Sequence, residues 1–577
     1  MVEVNRVVDH IVGYLAATGI THIFGVDGAN IEDLYDAAHF RDDITAVLAK
    51  HEFSAATMAD GYSRSGGGVG VVAATSGGGC LNTVPGLAES LASRVPVLAL
   101  IGQAPTTLDG RGAFQDTSGD NGSLDGHALF SAVSLYCRRL RKPADILTAL
   151  PQALAAARSG GPAVLLLPKD IQQADVGEPA AGNGRAGAAG KTARHADLRV
   201  LERALRGVDG PVTIIAGEQV ARDDARAELE RLRAVLRARV ATVPDAKDVA
   251  GTPGLGSSSA LGVAGVMGHP GVPAAAAQSA LCLLVGTRMT VTARAGLDTA
   301  LASVPTYSIG AQSPYPPCTH AHSDDLRASL TALARALSGP GRPAQVRVPD
   351  TAPRTELRPP AYDGPGIRYR DAMCVLDDAL PDGTDIVVDA GNVGASAIHY
   401  LPVRRDGRFL VALGMGGMGY SFGAGIGMTF HRASAGAARR TAVIAGDGSF
   451  FMHGMEIHTA MQYRLPITFV LFDNHAHAMC VTREQLFYEG RYSYNRFGPS
   501  RLGAGLAAMF PGLPAYDVAE IRQLPQALGM ALDADGPSVL SIECSADEIP
   551  PFAAFLTTTV STPSMSEENS PHVTTRA

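Results

Sequence analysis

"AGDGSFFMHG", residues 445–454, and the apolar run "ITFVLFDNHAH", residues 467–477, decide how this chain is read. "TAVIAGD" reads as a buried strand, "HGMEIHTAMQYR" as a helix and "ITFVLFDN" as the next strand. Parallel strands joined by a right-handed crossover deliver their C-terminal residues to one sheet edge. Asp447 and Asn474, 27 residues apart, are therefore expected side by side. A carboxylate and an amide oxygen are hard ligands suited to Mg2+, which fills its octahedron with waters and substrate phosphates. Gly446 and Gly448 let the backbone approach a phosphate closely, and Ser449 follows where N–H groups would face it. A GDG triplet alone says little, since Asp and Gly crowd ordinary turns. The second strand at this spacing is what points to a metal site.

Strand–helix alternation extends outward from this unit over most of the 577 residues. Residues 366–556 add "DIVVDAG", "RFLVALG" and "PSVLSIE" as strands. Residues 1–178 show "THIFGV", "ITAVLA", "VGVVAAT", "PVLALIG" and "PAVLLLP", separated by helices such as "EFSAATMADGYSR". Residues 192–340 repeat the pattern with "PVTIIAG", "RVATV" and "ALCLLVG". The expected fold is α/β, with three open, mostly parallel domains. A Gly/Ala-rich linker, "GEPAAGNGRAGAAGKTA", separates the first two, and a proline-rich stretch separates the second from the third. The polar tail 557–577 is expected to be disordered.

Composition narrows the class. Hydrophobic residues at 46% and charged residues at 18% fit a well-buried globular protein. A net charge of −8 weighs against nucleic-acid or anionic-membrane partners. No run of eighteen or more apolar residues occurs, and the N-terminal stretch reads as an amphipathic helix, not a signal peptide. Seven cysteines without a CxxC pair suggest neither a disulfide framework nor a cysteine zinc site, so a reducing, cytoplasmic location is expected.

The GDG triplet followed by the asparagine resembles the metal-diphosphate signature of thiamine-diphosphate-dependent enzymes. The resemblance implies that Asp447 and Asn474 supply side-chain Mg2+ ligands and that Ala476 supplies a backbone carbonyl. The family's usual Asn-Asn reads Asp473-Asn474 here, with the ligand the second of the pair. The family also needs a glutamate in another domain, and "HEFSAATMADGYSR" is similar to its HE-x-x-A-x-x-M-A-x-G-Y-x-R motif. Glu52 then matches the half-buried carboxyl that bonds the aminopyrimidine ring nitrogen and starts the proton transfer; the cofactor does the carbanion chemistry. "ALGMGGMGYSFGAGIG" resembles the loop seating the aminopyrimidine. There Gly416 and Met418 match backbone contacts, and the Met418 side chain matches the wedge that bends the cofactor. Gly391 and Asn392 in "VVDAGNVGAS" match diphosphate contacts. "TSGGGCLN" and "GAFQDT" resemble two further family stretches, so the matches span nearly the whole chain. The three domains become pyrimidine-binding, central and diphosphate-binding.

Within the family, "LFYEGRYS" (486–493) is most similar to the acetolactate synthase branch, and Phe114 and Gln115 match residues lining its reaction pocket. Asp27 and Gly28, in "FGVDGAN", occupy a loop that faces the cofactor in relatives. A tryptophan that helps choose the second 2-keto acid there is Arg483 here, in a chain with no tryptophan at all. An arginine offers a planar charged fork for a carboxylate or phosphate, which implies a different acceptor. "VGTRMTVTARAG" departs from the branch's flavin-associated motif and weighs against FAD. No tandem His-His pair occurs in "SGDNGSLDGHALF", which argues against plain aldehyde release.

The implied activity is decarboxylation of a 2-keto acid, with pyruvate the expected donor, and transfer of the acyl unit to a second carbonyl. The product would be an acyloin or an acetolactate-like acid. A homodimer or dimer of dimers with active sites at the subunit interface is implied. The alternatives are 2-hydroxyacyl-CoA or oxalyl-CoA lysis, which an ADP-binding central domain would mark, simple 2-keto acid decarboxylation, and a catalytically idle regulatory paralogue.

Overall fold

The computed structural model describes residues 5–177, 198–250, 261–338, 354–436 and 439–558. The Gly/Ala-rich linker after residue 177 and nearly all of the expected tail lie outside the described residues. The first sheet contains His22–Val26 (β1), Thr45–Leu48 (β2), Gly70–Ala74 (β3), Val97–Gln103 (β4), Tyr136–Arg139 (β5) and Pro162–Pro168 (β6), ordered β2-β1-β3-β4-β6-β5. The central sheet contains Val212–Ala216 (β7), Arg239–Thr242 (β8), Leu281–Val285 (β9), Thr306–Gly310 (β10) and Thr319–His322 (β11), ordered β11-β10-β9-β7-β8. The third contains Asp385–Val388 (β12), Phe409–Val411 (β13), Thr441–Gly446 (β14), Ile467–Asp473 (β15), Ala515–Val518 (β16) and Ser538–Glu543 (β17), ordered β13-β12-β14-β15-β17-β16. Every pairing of these strands is parallel.

The first and third sheets share one strand order. Chain direction across the sheet therefore reverses between β1 and β3 and again between β12 and β14. Loops leaving such a switch point diverge, and the crevice between them at the C-terminal edge is where open α/β sheets bind ligands. Both crevices carry residues singled out above.

The two domains meet along helices Glu52–Tyr62 and Tyr420–Ser434. Gly61 and Gly427 permit this contact: a Cβ on either would lie about 2 Å from a backbone oxygen of the other helix (2.1 Å from Ala424 O, 1.9 Å from Met58 O). One apolar core runs through the junction, with Phe24 and Met58 from the first domain and Phe422 and Phe469 from the third. The central domain is tied in by buried Lys247, whose Nζ reaches the carbonyls of Ala397 (3.1 Å) and Leu401 at the C-terminus of helix Asn392–Tyr400. Burial pushes the Lys247 amine well below its ordinary value, so its hydrogen bonds, more than its charge, make the tie. The helix after β14 differs from expectation. It starts at Asp447, runs to His453 and resumes at Ile457 after a single 3-10 turn. The ring of Phe450 fills the space beside Gly454, which only glycine leaves open.

Candidate active site

β14 and β15 are neighbours, in register from Thr441–Ile467 to Gly446–Phe472, so Asp447 and Asn474 emerge together at the C-terminal edge. Both are buried. Asp447 Oδ2 accepts the Ala476 N–H at 3.1 Å, while its Oδ1 is buried without a partner. Asn474 donates its amide N–H to Tyr369 Oη at 3.2 Å, and its Oδ1 is likewise buried and unpaired. Two orphaned oxygens at one strand edge are costly unless something positive meets them. Burial first, and then the nearby charge of Asp473, push the Asp447 carboxyl up to about 7. Oxygen or nitrogen atoms of Asp447, Asp473 and His475 lie within 4.8 Å of one another. The donor set is thus richer than the Asp447, Asn474 and Ala476 trio, and its chemistry fits a divalent cation.

Asp389, at the end of β12, organises the loops around this edge. Its carboxylate accepts the N–H groups of Gly419 and Ser421, each at 3.0 Å, and the hydroxyl of Ser449 at 2.7 Å. It thereby joins the β12 loop, the Met418 loop and the GDG loop. Gly391, in the left-handed region at φ +100°, turns the chain into helix Asn392–Tyr400 and leaves open space where a side chain would stand. Asn392 is buried with its Oδ1 unpaired. The Met418 methyl lies 3.4 Å from the position a Cβ on Gly448 would take. Met418, Gly448, Ser449, Asp447, Asn474, Ala476, Gly391 and Asn392 therefore lie on loops converging at the C-terminal edge of this sheet, with exposed Gly416 on the loop leading in.

Glu52 opens helix Glu52–Tyr62 just after β2. Its Oε2 accepts Asn82 Nδ2 at 2.9 Å, and its Oε1 would be 3.1 Å from a Cβ on Gly79. The junction is held from the third domain, because Glu456 Oε1 accepts the N–H groups of Lys50 (2.8 Å) and His51 (3.0 Å). Asn30 binds Ser76 Oγ at 2.7 Å, bridging the loops after β1 and β3, and Ser76 in turn reaches Gln115. Gln115 has φ +59° and lies against Gly77. Asp27 is exposed and accepts the Gly28 N–H at 2.7 Å; Phe114 is 77% exposed. The side-chain partners of Glu52 and Asp447 are not shared: Glu52 meets Asn82 and Gly79 of the first domain, and Asp447 the Ala476 N–H of the third.

Arg483 is exposed on helix Ala478–Phe487. The segment following "LFYEGRYS" is pinned to the loop after β15, with His477 N–H donating to Asn495 O (2.8 Å) and Phe497 N–H to His475 O (2.6 Å). Asp389, Glu456, His475 and His477 are among the residues that escape the sequence reading. The His477 ring packs over Gly448, with its Nδ1 buried and unpaired. Asp389 stands inside the quoted "VVDAGN", and its place at a strand end before Gly was the available signal.

Residues 5–124 match the family model of the thiamine pyrophosphate enzyme N-terminal TPP binding domain, and residues 389–542 match that of the C-terminal TPP binding domain. Fold and matched domains define a thiamine-diphosphate-dependent enzyme. The chain is 29% identical over 551 residues to the acetolactate synthase isozyme 2 large subunit of Escherichia coli, covering 93% of this chain and 95% of that one. It is 27% identical over 505 residues to the acetolactate synthase large subunit of Lactococcus lactis, covering 84% and 83%. An X-ray structure of an enzyme from Mycobacterium smegmatis, provisionally described as thiamin diphosphate-dependent, superposes with a TM-score of 0.73. It covers 94% of this chain and 100% of that one at 21% identity, and so bears on the fold alone. The chain belongs to the thiamine-diphosphate-dependent enzymes, in their acetolactate synthase-like branch. No helix among the described residues is long and apolar enough to cross a membrane.

Proposed function

We propose that the chain is a carboligase that decarboxylates a 2-keto acid, with pyruvate the expected donor, and joins the acyl unit to a second carbonyl compound. The observation carrying this reading is the pair of orphaned oxygens on Asp447 and Asn474 at the sheet edge where the loops of Met418 and Gly448 converge. Bound thiamine diphosphate would supply the electron sink that decarboxylation requires. Asp447, Asn474 and the Ala476 carbonyl would hold Mg2+, with Asp473 adding negative charge nearby. Gly391, Asn392, Gly448 and Ser449 would receive the diphosphate, and Gly416 and Met418 the aminopyrimidine. Glu52 would hold a proton at the aminopyrimidine ring nitrogen. Asp27, Gly28, Phe114 and Gln115 would line the substrate side, with Gln115 also touching the reacting groups. Purified protein incubated with cofactor, Mg2+ and pyruvate, alone and with candidate aldehydes or ketones, tests this by product identification.

A second reading, 2-hydroxyacyl-CoA or oxalyl-CoA lysis, has one observation in its favour. A cavity at the C-terminal edge of the central sheet is lined by Arg94, Arg222 and Arg288, which would meet a diphosphate such as that of ADP, although Glu218 and Asp245 line it too.

The working enzyme is a homodimer or a dimer of dimers. Glu52 and Asp447 share no side-chain partner within one chain, and a two-fold partner would bring unlike crevices together. Large apolar side chains stand exposed beside them: Leu81, Phe114, Met415, Phe451 and Met452. Exposed large apolar side chains near a site are what a partner subunit would cover. Sedimentation is expected to give a dimer or tetramer, and a fully active monomer would contradict the arrangement.

Arg483 is the proposed selector of the acceptor. Arg483→Trp is expected to weaken reaction with an anionic acceptor while leaving donor decarboxylation nearly unchanged. Loss of one charge-assisted hydrogen bond costs roughly 1.5–3 kcal/mol, or about a tenfold to hundredfold drop in kcat/KM. Acceptor kinetics at saturating pyruvate, beside CO2 release without acceptor, give the answer. Equal losses in both assays would place Arg483 in the donor site or the fold, and no loss in either would leave it facing solvent.

A further inference from the structure

We propose that Glu89 is a positioning residue for the cofactor, holding the loop that leads to Met418; this rests on the thiamine-diphosphate reading above. Glu89 lies in the last turns of helix Gly78–Ala92 and is 2% exposed. Its carboxylate crosses to the third domain and accepts three successive backbone N–H groups, from Gly414 (3.3 Å), Met415 (2.6 Å) and Gly416 (3.4 Å). Ser93 Oγ adds a fourth hydrogen bond at 2.7 Å, and the Arg64 guanidinium approaches at 3.4 Å. Successive N–H groups converging in this way form a concave anion site, here filled by a side chain of the same protein.

Asp389 holds the loop beyond Met418, through Gly419 and Ser421, and Glu89 holds the part before it. Gly414, Met415 and Gly416 are exposed, with Met415 at 59%. A glycine-rich, exposed segment has many conformations available, and Met418 at its end must hold one. A buried carboxylate bonded to three amides selects that one.

Counter-charge to a buried carboxylate is needed, and Arg64 provides it. Arg64 also pairs with Asp60 at 2.7 Å, and Asp60 accepts the hydroxyl of Tyr420 at 2.6 Å. Tyr420 opens the helix that follows the loop. The loop is therefore anchored on both sides of Met418 by carboxylates of the first domain. The same helix, Gly78–Ala92, meets Glu52 at its other end through Gly79 and Asn82. One 15-residue helix, about 22 Å long, thus sets both the proton-carrying glutamate and the loop that shapes the cofactor.

Amide hydrogen exchange on the cofactor-free wild-type protein tests the hold directly. The exposed Met415 amide is expected to exchange at least about a hundredfold more slowly than a free loop amide. Glu89→Gln is expected to abolish that protection, confined to residues 414–418, and to weaken thiamine diphosphate binding by about tenfold or more, as loss of charge-assisted hydrogen bonds predicts. Glu89→Asp, which keeps the charge on a shorter arm, should recover part of both; if Glu89→Gln does not fold, this variant and the wild-type exchange carry the test. Fast Met415 exchange in the wild type would overturn the proposal. So would wild-type cofactor affinity in a folded Glu89→Gln, or loss of protection spread across the whole first domain. Failure of the wild type to bind thiamine diphosphate while Met415 is protected would instead overturn the functional reading.

Discussion

Glu52→Gln is expected to lower pyruvate turnover by two or more orders of magnitude while leaving folding and cofactor binding nearly intact. The substitution preserves size and hydrogen-bonding shape, so Asn82 and the Gly79 gap still accommodate the side chain. It replaces a carboxyl group that can take up and release a proton with an amide that cannot. Loss of a positioned proton-transfer group costs about a hundredfold to ten-thousandfold in rate. The junction carrying it is clamped by Glu456 on Lys50 and His51, so the backbone has no reason to move. Steady-state kinetics beside calorimetric titration of thiamine diphosphate separate the two effects. Near-normal pyruvate consumption by the variant would remove Glu52 from the mechanism.

Asp447→Ala is expected to abolish the Mg2+-dependent gain in thiamine diphosphate affinity. The variant loses the buried Oδ1 available to a cation and the Oδ2 contact to Ala476 N–H, while buried Asp473 remains. A charged diphosphate would then face an uncompensated carboxylate. Breaking a buried charge pair from one side costs roughly 3–5 kcal/mol, a hundredfold or more in affinity. Titrations with and without Mg2+ on both proteins decide it. Equal affinity in wild type and variant would refute the metal site.

What the sequence made legible follows burial. Central strands such as β4, β6 and β15 are buried along their whole length and read as unbroken apolar runs. The strands that escape reading are β5 (YCRR), β11 (THAH) and β16 (AYDV), each at a sheet edge and only partly buried, together with β10 beside one such edge. Edge position alone does not hide a strand, since β2, β8 and β13 also lie at edges and are legible; YCRR, THAH and AYDV are short and lack an apolar run. The site divides in a similar way. Asp447 and Asn474 sit at the ends of readable strands, and their spacing along adjacent parallel strands places them together. Asp389, Glu456 and Glu89 act on backbone N–H groups up to 406 residues away in sequence. The Glu456 and Glu89 contacts depend on how the first and third domains dock, and those of Asp389 on how loops of one domain converge, neither of which local pattern encodes. Asp473 read only as the first member of the altered Asn-Asn pair, whereas at the end of β15, beside β14, it sets a second carboxylate close to Asp447.

The most direct test of the central claim follows pyruvate labelled isotopically at its keto carbon, incubated with the protein, thiamine diphosphate and Mg2+ and monitored by NMR with parallel CO2 measurement. The expected result is release of the carboxylate as CO2 and appearance of the labelled carbon in a new carbon–carbon bond, in an acyloin or a 2-hydroxy-3-keto acid, with a self-condensation product when pyruvate is the only carbonyl present or a mixed product when the correct acceptor is supplied. Release of free acetaldehyde as the sole labelled product, with every acceptor tried, would contradict carboligation. Absence of any cofactor-dependent CO2 release from pyruvate or other 2-keto acids would contradict the catalytic assignment itself.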